Sequence, residues 1–320
     1  MGFKYINPGV YPFQSSYVTR STDTRYSKFG LSFTMTNSSY FNLFSLDEYF
    51  EEAYAMFDVY VPSASSVHSW GIRFSDTADT TARLLIGYSR NSRIINKKTS
   101  YYPNLTFYSY YNSTQRTMSM ATNGYNSLNS LSGNTRHTVF LHLLNKGIAY
   151  MTVNNNVIVD RSDETREDTT SSTYCCELKF NSLQVQATSG CYLSNFILSD
   201  SRITPNEKMI EVPISSTSTS MTESSGVYTA SSVGKYILQT PNKSSLVSSY
   251  PNHRVTGIST VAQPAYTDGT PTTIAGRESS LKHDSTVLTT SNVAGALSSW
   301  KANFAMSQID SEQYGWEVIA

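Results

Sequence analysis

The stretch HTVFLHLLNKGIAYMTVNNNVIVD, His137 to Asp160, decides the fold class. Val139, Leu141 and Leu143 alternate with Thr138, Phe140 and His142, the two-residue period of a strand with one face on a core. Asn145-Lys146-Gly147 supplies a short turn and IAYMTV runs back. A second turn, Asn154-Asn155-Asn156, leads into VIVD; Asn and Gly suit such positions because they tolerate left-handed backbone. The stretch reads as a meander of three antiparallel strands.

The same habit extends upstream. AYAMFDVYV, Ala53 to Val61, puts Ala55, Phe57, Val59 and Val61 on one face before Pro62 ends it. WGIRF puts Trp70, Ile72 and Phe74 on one side, and RLLIGYS (Arg83 to Ser89) and LTFYSYY (Leu105 to Tyr111) follow. Strands recurring between Ser, Thr, Asn and Gly clusters predict a sandwich or barrel. Downstream, the charged run RSDETRED (Arg161 to Asp168) reads as a solvated loop, and CELKF and LQVQA read as strands separated by Asn181-Ser182. SGCYLSNFILSD, Ser189 to Asp200, is apolar on both faces. It is expected to close the sandwich with one face on the core. The other face should lie under the linker, a second domain or a neighbouring subunit, with Tyr192, Phe196 and Leu198 at that joint. Trp316, near the other end of the chain, is placed in the same class of interdomain or subunit packing residue.

Character changes after Asp200. Pro205 and Pro213 are followed by SSTSTSMTESSG (Ser215 to Gly226), a polar tract. The expected organisation is a sandwich domain over 1–203 with an N-terminal arm, a Ser/Thr-rich linker over 204–225, and a small β-rich assembly or attachment domain over 226–320. In the last, GKYILQT reads as a strand, Thr240 as the cap and Pro241 as the first residue of one short helix to Tyr250, and RVTGISTVAQ as the next strand. That order makes a small βαβ-like unit plausible. STVLTT, WKANFAMS and YGWEVIA read as short strands, VAGALSSW as strand or helix, and YGWEVIA as an edge strand. The fold class is all-β, with one short helix.

Composition narrows the function. With 24 basic and 24 acidic residues in 320, no long-range field is available to attract nucleic acid or an anionic membrane surface. Charged residues make up 15%, well below the roughly 25% of an average soluble domain. Low charge with many hydroxyls suits a chain that meets other subunits more often than water. MGFKYINPGVYPF has neither a basic nor an apolar leader region, so export by the standard signal route and membrane insertion are not expected. Its sixth residue is Ile, which also breaks the myristoylation pattern. The three cysteines, Cys175, Cys176 and Cys191, are too few and too adjacent for a disulfide framework, and read as small buried residues.

The long strand, short turn, strand ending Val153-Asn-Asn-Asn-Val157 and final strand Tyr192-Leu-Ser-Asn-Phe-Ile-Leu-Ser-Asp200 resemble the concanavalin A-like, laminin G-like jelly roll, in particular such domains in bacteriophage virion proteins of the tail and fibre kind. The resemblance covers about 20–203, and the C-terminal segment is similar to modules in the same proteins. It implies a virion structural protein, a tail, fibre, baseplate or capsid-decoration component assembled in the host cytoplasm. Its partners would be other virion proteins and copies of itself, with host-surface glycan adhesion as a second role.

Motifs that carry chemistry are mostly absent from the sequence. No phosphate-binding glycine loop, H-E-x-x-H or G-x-S-x-G occurs. His68, His137, His142, His253 and His283 are scattered, and His137 and His142 face opposite ways on one strand. Glycosidases need two carboxylates across the scissile bond. Asp47, Glu48, Glu51 and Glu52 are spaced by four, as suits a solvated helical turn as well as a strand, and the E-x-D-x-E pattern of enzymes on the resembled fold is missing. No catalytic residue, cofactor or metal ligand set is therefore expected; Asp76, Asp79 and Asp163 match no calcium spacing. A polysaccharide-degrading glycosidase or lyase is the alternative, and a cell-surface adhesin a third reading. Sugar binding needs only aromatic faces and a few polar side chains. Trp70, Arg73, Tyr108 and Tyr110 are the candidate glycan residues, with Tyr101, Tyr102 and Tyr111 nearby.

Overall fold

A computed structural model describes residues 4–10, 18–35, 40–62, 70–77, 82–95, 98–111, 114–118, 133–144, 147–160, 179–187, 190–262, 267, 270–288 and 295–320. Between 82 and 118 it describes backbone pairing and not side chains. Among the described residues the structure is almost all β, with one α-helix. It forms two compact units, Ser16–Glu207 and Met1–Ser15 with Lys208–Ala320. In chain order the strands are β1 (Lys4–Asn7), β2 (Val18–Ser21), β3 (Ser32–Met35), β4 (Phe41–Phe50), β5 (Ala53–Val61), β6 (Trp70–Ser75), β7 (Ala82–Ile95), β8 (Lys98–Tyr111), β9 (Thr114–Met118), β10 (Thr135–Leu144), β11 (Gly147–Val153), β12 (Asn156–Asp160), β13 (Phe180–Ala187) and β14 (Tyr192–Ser199). They continue with β15 (Ile214–Thr219), β16 (Thr222–Ser224), β17 (Val227–Thr229), β18 (Tyr236–Pro241), helix α1 (Lys243–Ser249), β19 (Arg254–Ala262), β20 (Thr272–Glu278), β21 (Leu281–Leu288), β22 (Ala296–Ala305) and β23 (Tyr314–Val318).

The first unit is an antiparallel sandwich. One sheet runs β12-β11-β10-β5-β14-β3-β2 and the other, six-stranded, runs β4-β13-β6-β7-β8-β9. Alternation decides which residues meet between them: Ala55, Phe57 and Val59 from β5, Val139, Leu141 and Leu143 from β10, and Trp70, Ile72 and Phe74 from β6 are all buried. The Phe57 ring meets Trp70 edge-on at 5.8 Å, joining the two sheets, and Phe57, Phe196 and Phe33 form an aromatic row along the first. Each fully buried aromatic of this kind is worth about 1.5–3 kcal/mol of transfer free energy. The meander β10-β11-β12 forms as its sequence predicts. Its second turn has Asn154 at φ 51° and Asn155 at φ 63°, the twisted two-residue turn that matches antiparallel strands.

Two local features differ from the sequence reading. Asn181-Ser182 does not separate strands; both residues lie inside β13. The Asn181 side chain replaces missing ladder bonds by donating to the Leu46 carbonyl (2.9 Å) and Thr77 Oγ1 (2.7 Å) and accepting from the Thr77 N–H (2.9 Å). The acidic stretch from Asp47 is strand and then bend, with no helical turn, and Asp47, Glu48, Glu51 and Glu52 are exposed.

The closing strand β14 contains a bulge. Ser194 pairs with Asp58 and Ile197 with Met56, so Asn195 and Phe196 together oppose Phe57. Asn195 takes φ 55°, a left-handed conformation that Asn adopts more readily than most residues. The bulge changes the parity of the strand. Leu193, Phe196 and Leu198 turn to the sandwich core, while Tyr192, Ser194 and Ile197 share the other face. Both faces are covered, with Leu193 0%, Phe196 2%, Ile197 5% and Leu198 1% exposed.

The second unit has a five-stranded antiparallel sheet, β15-β18-β23-β20-β21, beside the pair β19-β22. The polar tract read as a linker supplies β15, an exposed strand paired with β18 through its backbone; Ser and Thr need no apolar face to do this. Strands β18 and β19 lie in different sheets, so no βαβ unit forms. Pro241 ends β18, and Asn242 caps the helix by accepting from the Ser245 N–H at 3.2 Å. VAGALSSW contributes to β22, a strand. YGWEVIA supplies β23, which is central, with all of Tyr314–Val318 buried. It can sit between two strands because Gly315 has no Cβ; one there would overlap the Ile237 carbonyl. Finally, the N-terminal arm groups with this unit.

Candidate functional site

The outward face of the six-stranded sheet holds the part of the candidate glycan site that the structure keeps together. Register places Asn42, Gln184, Arg73, Leu85, Tyr108 and Thr117 on one rung across β4, β13, β6, β7, β8 and β9. With strands about 4.8 Å apart, the backbones of Arg73 and Tyr108 stand about 10 Å from each other. The Arg73 guanidinium lies 5.4 Å from the centre of the Tyr40 ring, a cation–π placement that fixes a long side chain. Gln184, between Arg73 and Asn42, keeps its Oε1 buried with no hydrogen bond from any described residue. The Asn42 amide, oriented so that both its atoms are satisfied, donates to the Phe44 carbonyl at 2.8 Å and accepts from Ser45 Oγ at 2.5 Å.

Trp70 is a correction. It is 2% exposed and faces the core with Ile72 and Phe74, since it stands three positions from Arg73 and an odd spacing on a strand reverses the face. The side chains of Tyr108 and Tyr110, like those of Tyr101, Tyr102 and Tyr111, lie outside the described residues. Gln184, Asn42 and Tyr40 were missed from the sequence. The only signal was that LQVQA alternates Gln with Val on one strand, and its register against Arg73 is a tertiary fact.

The packing residues divide differently from expectation. Phe196 and Leu198 belong to the core of their own sandwich. Trp316 belongs to the core of the second unit, with Ile274, Leu288, Ala296 and Val318. Tyr192 alone stays on the outer face, where it stacks on Tyr26 at 3.6 Å and meets Tyr60 edge-on at 6.1 Å. Burial pushes the Tyr60 and Tyr192 hydroxyls above their ordinary value. Arg25 holds Asp23 with Nε and Nη2, at 2.8 and 2.5 Å, beside the Tyr26 ring.

Several described carboxylates are hydrogen-bonded or ion-paired within the fold. Asp58 is 2% exposed and accepts from Asn195 Nδ2 (2.7 Å) and Thr138 Oγ1 (2.5 Å). Asp76 accepts from the Tyr49 hydroxyl at 2.9 Å. Glu52 accepts from His142 Nε2 (2.8 Å) and the Tyr54 hydroxyl (3.0 Å), and these bonds, that from His142 first, hold its carboxyl below the ordinary value. In the second unit the buried Glu317 binds Arg277 at 2.7 Å and Lys282 at 2.8 Å, and His283 stacks on Trp300 at 3.9 Å. His137 is buried against Asn154, on the face opposite His142. Among the described residues no three His, Cys, Asp or Glu side chains gather as a metal site, and no helix is long and apolar enough to cross a membrane. Cys191 is buried; Cys175, Cys176, His68, Asp79 and Asp163 lie outside the described residues.

No known protein family matches the sequence, and neither does any curated protein. Among solved structures, sheep galectin-11 in complex with glycerol is similar at 8% identity and a TM-score of 0.30, over 52% of this chain and 99% of that one. The CBM2 module of the evolved Dit of Lactobacillus casei BL23 phage J-1 is similar at 11% identity and a TM-score of 0.31, over 61% of this chain and 89% of that one. Neither likeness bears on ligand or role.

Proposed function

We propose that this chain is a non-catalytic structural protein of a bacteriophage particle, whose sandwich binds host-surface glycan and whose second unit attaches it to other virion proteins and to copies of itself. The particle rests on the sequence resemblance to virion jelly rolls and on the neutral, hydroxyl-rich composition. The glycan role is carried by the rung Asn42–Gln184–Arg73, where two amides and a guanidinium share one half-buried face of a sheet with the Tyr40 ring beneath the guanidinium. Amides and guanidinium groups offer the hydroxyl partners that a sugar ring needs. The buried carboxylates Asp58 and Asp76 are already hydrogen-bonded, which favours binding over hydrolysis.

The test is an array of host-cell polysaccharides probed with the purified chain and with Arg73→Ala and Gln184→Ala. Retained signal on one glycan class, lost in both variants, is the expected result. A blank array at high protein concentration overturns the glycan role, and reducing sugar released from any polysaccharide overturns the non-catalytic reading in favour of a glycosidase or lyase. A map of the particle lacking this chain overturns the virion assignment.

A further inference from the structure

The first residues of the chain hydrogen-bond to residues about 250 to 295 positions later. Lys4, Tyr5, Ile6, Asn7 and Val10 are all buried. The Ile6 N–H donates to Ser299 Oγ at 3.1 Å, Ser259 Oγ donates to the Ile6 carbonyl at 2.9 Å, and Lys4 Nζ donates to Thr256 Oγ1 at 2.7 Å. The Ile6 side chain occupies the space left by Gly257, where a Cβ would come within 2.5 Å of Ile6 Cδ1. Asn7 then turns the chain, accepting from the Gly9 and Val10 N–H groups at 2.9 and 2.6 Å. The slot is therefore specific for this sequence: an aliphatic residue at the glycine, a cation at Thr256, and a tight turn after both.

Between arm and slot the chain makes the whole of the other compact unit, Ser16–Glu207. Every hydrogen bond just described is to β19 or β22 or within the arm, and none is to residues that adjoin the arm in sequence. The same arm from another copy makes the same bonds. Exchange of an identical terminal element between copies preserves the contacts and loses only the advantage of the covalent tether, which high local concentration offsets. We propose that the slot on the paired strands β19 and β22 takes the Lys4–Val10 arm of a second copy of this chain, linking copies by arm exchange. The proposal is independent of the glycan site.

Two full-length single variants, Lys4→Cys and Thr256→Cys, are unfolded together, refolded at high protein concentration and treated with a short bis-maleimide cross-linker that spans the length of the lysine side chain lost. A chain dimer whose cross-link maps by mass spectrometry to the two introduced positions is expected. Its yield should rise with concentration and fall when excess synthetic peptide MGFKYINPGV is present. The doubly substituted chain, Lys4→Cys with Thr256→Cys, should close within itself when dilute. Adding Gly257→Val, which fills the slot, should abolish both links while the sandwich keeps its strand signal in circular dichroism. Closure of the double variant without any dimer from the mixture at any concentration overturns exchange. Failure of both links, or a dimer that persists with Gly257→Val, overturns the slot itself.

Discussion

Asn195 Nδ2 donates to Asp58 Oδ2 at 2.7 Å across the one irregularity of the closing strand β14. A single residue thus does two things: its left-handed backbone makes the bulge, and its amide satisfies a buried carboxylate that Thr138 and the more distant Arg136 (3.7 Å) also serve. Asn195→Ala should cost about 1–3 kcal/mol for the unsatisfied carboxylate. Alanine also meets a left-handed penalty of about 1 kcal/mol that glycine escapes. In urea unfolding, Asn195→Gly should therefore be the milder variant, and equal losses would count against the backbone role.

Gly315 stands at the centre of the second unit, where β23 passes the Ile237 carbonyl too closely for a side chain. Gly315→Ala must push β18 and β23 apart, and overpacking of this kind costs about 1–3 kcal/mol. The melting transition of the second unit should fall while that of the sandwich stays in place. An unchanged transition would mean that the strand sits elsewhere.

Glu317 has two cationic partners of unequal burial: Arg277, with 19% of its side chain exposed, and Lys282, with 50%. The exposed pair is screened and should contribute about 1 kcal/mol or less, so Lys282→Ala should be nearly silent. Arg277→Met leaves a buried carboxylate short of hydrogen bonds and removes the guanidinium from the Tyr236 ring, 4.7 Å away. It should cost at least about 1–3 kcal/mol. Denaturant midpoints of the two variants decide the order.

Glu52 carries a pH dependence of known sign. Its carboxyl titrates below the ordinary 4.5 because His142 and Tyr54 bond the ionised form. A carboxylate with a depressed folded pKa contributes stability that is present above the unfolded pKa and is lost as pH falls through the folded one. The advantage of the native chain over Glu52→Gln should be flat near neutrality and disappear in that acid window. In a carboxyl NMR titration, His142→Ala should move Glu52 upward; an unmoved titration would remove His142 as the cause.

Much of the fold is legible locally, and the misreadings share one cause. Alternation in AYAMFDVYV and WGIRF assigns Phe57 and Trp70 to a core face, and the same pattern argues against Trp70 as a sugar platform, since a strand cannot turn Trp70 and Arg73 the same way. The candidate site is less legible: Arg73 is visible, but Gln184 joins it only through the pairing of β13 with β6, over a hundred residues apart. Nothing near Tyr192 in the chain announces that Tyr26 will stack on it.

By itself, the sequence determined the strand alternation, the all-β class, the Asn154–Asn155 turn and the two apolar faces of β14, because side-chain period and turn chemistry act over a few residues. Only the tertiary structure decided the bulge at Asn195–Phe196, which turns Leu198 inward, the central place of β23 and the seat of Ile6 against Gly257. Those depend on which backbone comes close to which, and close approach between distant segments leaves no local period to read.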